Sequence, residues 1–100
     1  MATAEVRIIP IGTRTSSLAK HVARAVNAIK GEKDIEYQLT ATGTILEGDL
    51  EKILSAARKM HEAVFAEEVA RVVTTIEIDD RRDRESTMES KVESVQKELT

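Results

Sequence analysis

An α+β fold, β-α-β-β-α-β with an additional C-terminal helix, is predicted by three features of this 100-residue sequence. Two-residue alternation of apolar and polar side chains marks strands, and stripes at a spacing of three to four mark helices. The two patterns follow one another in a fixed order along the chain. Twice, moreover, a strand-like run ends in Gly-Thr and passes quickly into a helix with a polar start, at Ile11-Gly12-Thr13 and at Gly43-Thr44 to Asp49.

Residues 4–11 alternate, with Val6 and Ile8 on one side and Glu5, Arg7 and Ile9 on the other. Pro10 cannot donate a ladder hydrogen bond, which favours a strand end or a sheet edge. Leu18, Val22, Ala25, Val26 and Ile29 form the first helical stripe. Thr15, Ser16 or Ser17 can cap it, and Gly31 stands where helices stop. His21 on this helix is expected to be solvated. Tyr37, Leu39 and Ala41 alternate with Gln38, Thr40 and Thr42, and a short strand runs from Thr44 to Glu47.

Asp49 is the expected N-cap of a second helix with Leu50, Ile53, Leu54, Ala57, Met60 and Val64 on its inner face. In the last strand Val72, Thr74, Ile76 and Ile78 oppose Val73, Thr75 and Glu77. Ser86 and Glu89 have capping-box spacing, and Met88, Val92, Val95 and Leu99 stripe the last helix. This order is the split β-α-β, ferredoxin-like arrangement, with helices on one face of an antiparallel sheet. One domain over residues 1–100 is expected. The other sheet face would expose Ile9, Ile11, Val73 and several threonines, and is expected to pack on another subunit.

Composition restricts the function. The chain is 41% hydrophobic and 33% charged but only 2% aromatic, so its core must be aliphatic. It has no cysteine, which removes disulfides, thiolate metal sites and cysteine nucleophiles. A net charge of −3 argues against a nucleic-acid partner, and the scarcity of aromatics removes base stacking on the sheet. No apolar run approaches the ~20 residues that span a bilayer, and Met1 to Glu5 do not read as a signal peptide. A cytoplasmic protein without membrane contact is expected.

Several motifs together resemble one family. They are Pro10-Ile11-Gly12-Thr13, Gly43-Thr44-Ile45-Leu46-Glu47-Gly48-Asp49, Met60-His61-Glu62-Ala63-Val64-Phe65, and Arg71-Val72-Val73-Thr74-Thr75-Ile76 followed by Ile78-Asp79-Asp80-Arg81-Arg82-Asp83. The sequence is similar over nearly its whole length to the thiamine-binding-protein-like family. Ala41-Thr42 departs from the Pro-Met that many relatives carry, and Glu67-Glu68 falls where a Gly is common. The resemblance implies a ferredoxin-like fold, sheets paired edge to edge, and a homotetramer built as a dimer of dimers. It also implies a protein that holds thiamine or its hydroxymethylpyrimidine part without transforming it, and needs no other cofactor.

The residues suit such a ligand. An aminopyrimidine needs a carboxylate or carbonyl for its amino group and a hydroxyl or N–H for a ring nitrogen. Glu47 supplies the first, and Ser17, Thr42 and Thr44 the second. Gly12, Thr13, Ser16 and Gly43 complete the expected site, with free N–H groups near Ser16 and Ser17 able to receive an anion. The first strand's exit and the Gly43 segment are expected to bring these together. Each residue also has a plain structural reading: Ser16 and Ser17 as caps, Gly43 as a bulge, Glu47 as an exposed polar residue. His61 reads as a packed, hydrogen-bonded histidine, and its pairing with Glu62 is too small a set for a metal. In the Asp79 to Asp83 run, arginines alternate with acids and neutralise them. Three function classes stay open: a carrier of a small molecule, a ligand-dependent regulator of subunit or partner contacts, and an enzyme using His61 or Glu47 as an acid-base group.

Overall fold

The structure, a computed structural model, describes residues 1–13, 17–65, 68–83 and 87–99. Its elements are β1 (Ala2–Ile11), α1 (Ala19–Ile29), β2 (Ile35–Leu39), β3 (Thr44–Gly48), α2 (Leu50–Val64), β4 (Arg71–Asp79) and α3 (Met88–Glu98). The strands form one antiparallel sheet in the order β2-β3-β1-β4. The fold is α+β and ferredoxin-like, with a third helix at the C-terminal end.

Pleat and register decide which side chains face the helices. Ala2, Ala4 and Val6 of β1 share a face with Leu46 of β3 and Ile35 of β2. These close on Ala25 and Ile29 of α1 and on Ile53, Ala57, Met60 and Val64 of α2. Leu46 and Ile53 are wholly buried, and truncating such a side chain costs about 2–5 kcal/mol. The four core alanines of the sheet and α2, Ala2, Ala4, Ala56 and Ala57, let the layers approach closely, in keeping with a core that has almost no aromatics.

Leu54 and Val22, expected in the stripes, instead lie 43% and 40% exposed. Ala56 takes the inner position on α2, because the buried arc turns toward the Ala56–Ala57 side. On α1 the arc includes His21 and leaves Val22 outside it. The helix is capped by Leu18, with no side-chain cap bond, so Ser17 lies one residue too early to cap it. Thr15, Ser16 and Ser86 fall outside the described residues. Arg24 of α1 donates to Glu68 at 2.9 Å and Lys20 pairs with it at 3.0 Å. The hydrogen bond from Lys20 is the main reason that the Glu68 carboxyl is lowered to about 2.

The opposite sheet face carries Thr3, Glu5, Arg7, Ile9 and Ile11 of β1 beside Asp79, Glu77, Thr75, Val73 and Arg71 of β4. Ile9, Ile11 and Val73 are all 40–47% exposed. α3 meets this face at its acidic end. Lys91 donates to Thr3 Oγ1 and to Asp79 Oδ2, each at 2.7 Å. The helix begins with a capping box one residue later than the expected pair. Thr87 Oγ1 accepts from the Ser90 N–H at 3.0 Å, and Ser90 Oγ accepts from the Thr87 N–H at 2.9 Å. α3 has no buried residue, and Val92, Val95 and Leu99 are exposed.

Between β4 and α3 the charged run neutralises itself by hydrogen bonding. Arg81 donates to both carboxylate oxygens of Asp83, and Arg82 donates twice to the one oxygen Oδ2 of Asp80. The bond from Arg82 holds the Asp80 carboxyl below its usual range.

Candidate functional site

The residues expected to converge are divided by the sheet. Register places Thr44 opposite Val6 and Glu47 opposite Thr3. Their positions differ by an odd number, so the pleat sends them to opposite faces. Thr44 is buried on the helix side, and Glu47 is buried on the side that α3 approaches.

On the helix side the hairpin loop between β2 and β3 shapes a notch. β3 begins opposite Val6, so residues 7–11 of β1 pair with β4 and have no β3 partner. Thr40 closes the loop: its N–H donates to the Gly43 carbonyl at 2.9 Å, and its Oγ1 accepts from the Gly43 N–H at 3.0 Å. Gly43 lies against β1, where a Cβ would come within 2.9 Å of the Val6 carbonyl oxygen and of Arg7 Cγ. It is a close-approach residue of the turn, where a bulge had been an alternative. A cavity of about 380 Å³ opens here, lined by Thr40 to Thr44, by Val6 and Ile8 of β1, and by Leu18, His21 and Val22.

His21 corrects the expectation of a solvated histidine. It is only 4% exposed, and its Nδ1 is buried without a hydrogen-bond partner. Of the other expected site residues, Gly12 ends β1 with a φ of +80° and Thr13 is half-buried. Ser17 is exposed ahead of α1. None of these three lines the notch among the described residues, and Ser16 is outside them.

On the other side Glu47 lines a groove of about 800 Å³ between β2, β3 and α3. Here too the structure differs from the reading of Glu47 as an exposed residue. Glu47 is 8% exposed, and no described hydrogen bond or ion pair meets its carboxylate. Directly across the ladder stands Glu36 of β2, a like-charged pairing that ordinarily disfavours a sheet. Gln38, Lys33 and Thr87 bring amide, ammonium and hydroxyl groups, while Met88, Val92 and Met1 bring apolar surface. A flat polar ring fits such a lining: apolar side chains for its faces, donors and a carboxylate for its edge. Sequence reasoning found Glu47 but not this setting, because Glu36 and α3 reach it only through tertiary contact.

His61 is engaged elsewhere. Its Nδ1 lies 2.6 Å from Thr74 Oγ1 and its ring meets Phe65 edge to face, with centroids 5.3 Å apart. It is a packed, hydrogen-bonded histidine and lines neither cavity. Among the described residues no group of three or more His, Cys, Asp or Glu is arranged to hold a metal ion, and no helix is long and apolar enough to cross a membrane.

The profile of a family described as thiamine-binding protein matches residues 4–96. The UPF0045 protein YqgV of Bacillus subtilis is 47% identical over 102 aligned residues, covering 99% of this chain and 98% of that protein. A crystal structure of a hypothetical protein from Methanocaldococcus jannaschii superposes with a TM-score of 0.85 at 39% identity, covering 95% of each chain. A proposed thiamine biosynthesis/salvage protein from Thermotoga maritima shares the fold, with a TM-score of 0.76 at 21% identity over 94% of this chain and 97% of that one.

Proposed function

The chain belongs to the thiamine-binding protein family, and on that premise we propose that it binds thiamine or a related aminopyrimidine in the Glu47 groove without transforming it. One observation carries the reading: Glu47 is a largely buried residue whose carboxylate, with no described protein partner, opens into a groove of small-molecule size. A carboxylate open to the groove has acceptor capacity that no protein group uses, and a ligand amino group can donate to it. The Gln38 amide can donate to a ring nitrogen, and Met88 and Val92 flank the ring. Thr42, Gly43 and Thr44 then act by shaping the hairpin, not by touching the ligand. The family name supports the ligand class.

The assembly belongs to the same proposal. The exposed isoleucines and Val73 favour burial against a second copy, and a closed, symmetric homotetramer is the expected form. A regulatory use follows naturally if the ligand stabilises α3 and so alters the surface offered to a partner.

Mass spectrometry of protein purified under native conditions tests the reading. Thiamine or a hydroxymethylpyrimidine leaving the protein intact is the expected result. A pyrimidine recovered chemically altered after incubation would make the protein an enzyme and contradict it.

A further inference from the structure

The groove has a charge that the ligand must match. Asp34, Glu36, Glu89 and Glu93 line it together with Glu47. Against these five acids the lining sets one basic side chain, Lys33. Lys52 reaches Asp34 only at 3.9 Å, and Lys91 is turned away to Thr3 and Asp79. The acids come from three separate segments: the turn before β2, the β2–β3 ladder and α3. Their convergence is therefore a property of the fold and not of one charged run. No described cation pairs with Glu47, a largely buried residue whose carboxylate opens into the groove, so protein cations do not satisfy it.

Resting on the reading of this groove as the ligand site, we propose that it selects a cationic, unphosphorylated ligand. Thiamine, with its quaternary thiazolium, fits better than the neutral hydroxymethylpyrimidine, and the phosphate esters of thiamine are rejected. Close like charges are costly, and a pyrophosphate tail would have to lie among Glu36, Glu89 and Glu93. The protein would thus hold the free vitamin, the form that a phosphoryl-transfer step consumes or that phosphate-ester hydrolysis supplies.

Calorimetric titration of thiamine, hydroxymethylpyrimidine and thiamine pyrophosphate into the wild type and the triple variant Glu36→Gln, Glu89→Gln, Glu93→Gln provides the test. These three side chains are exposed, so the fold is retained, as circular dichroism would verify. In the wild type, thiamine should bind tightest and its pyrophosphate roughly tenfold or more weakly than thiamine itself. The gap should shrink as salt screens the groove and shrink again in the variant. If the pyrophosphate or the neutral pyrimidine binds as tightly as thiamine, charge selection is overturned while the groove remains a binding site. If none of the three binds, the selection and the reading beneath it fall together.

Discussion

His21 and Glu47 are both largely buried residues without a described partner. The His21 Nδ1 is sealed from water while the Glu47 carboxylate opens into the groove, so they make opposite predictions. The imidazole sits among aliphatic side chains beside the hairpin notch. An unsatisfied buried group of this kind costs about 1–3 kcal/mol. His21→Phe removes the orphaned nitrogen, and the adjacent cavity of about 380 Å³ accommodates the larger ring. Urea denaturation should therefore show a protein at least as stable as the wild type, by up to about 1 kcal/mol. A loss comparable to that of a truncated core leucine would mean that the imidazole has a structural bond of its own. Glu47, by contrast, faces a polar groove, so its removal should be felt in binding and hardly in stability. The sequence announced Glu47 through the Gly-Thr-Ile-Leu-Glu-Gly-Asp motif. It gave no sign of His21, because a polar imidazole beside an apolar stripe reads as solvated, and only packing shows that the buried arc of α1 takes in His21 and leaves out Val22.

Among the elements, α3 differs from the rest. α1 and α2 owe their positions to buried apolar faces, whereas α3 is held by the Lys91 bonds and by its capping box. Capping is worth about 1 kcal/mol to a helix. Thr87→Ala should therefore reduce amide protection within α3 by roughly tenfold or less while leaving the β1 and β3 amides unchanged. Hydrogen exchange resolved by residue checks this, and equal losses in helix and sheet would show α3 to be cooperative with the core. The strands were legible because alternation reports the pleat directly: Val72, Thr74 and Ile76 against Val73 and Thr75 is a statement about faces. Helix faces were less so. Leu54 and Val22 fit an apolar stripe as well as Ala56 and His21 fail it, and only the packing distance of the sheet, set by its alanines, decides between them.

At the scale of the molecule, the separation of Thr44 from Glu47 is the chief departure from what the sequence suggested. Local spacing brings the two within one short strand, but a pleated strand sends odd neighbours apart, and the register with β1 fixes which face each takes. The same pleat leaves Ile9, Ile11 and Val73 together on the open face. Light scattering at micromolar concentration should return four copies of the 11.1 kDa chain. A monomer alone would leave that face without the cover that the fold calls for. Within such an assembly the groove beneath α3 remains the place where charge, burial and apolar surface coincide.

Calorimetric titration of thiamine into the wild type, Glu47→Ala and Thr42→Val most directly tests whether Glu47 is the ligand's anchor. Loss of the carboxylate should weaken binding by roughly ten- to hundredfold, with the fold and the affinity of Thr42→Val unchanged. Equal affinity in the wild type and Glu47→Ala, with weakened binding by Thr42→Val, would contradict the account and move the ligand to the hairpin notch.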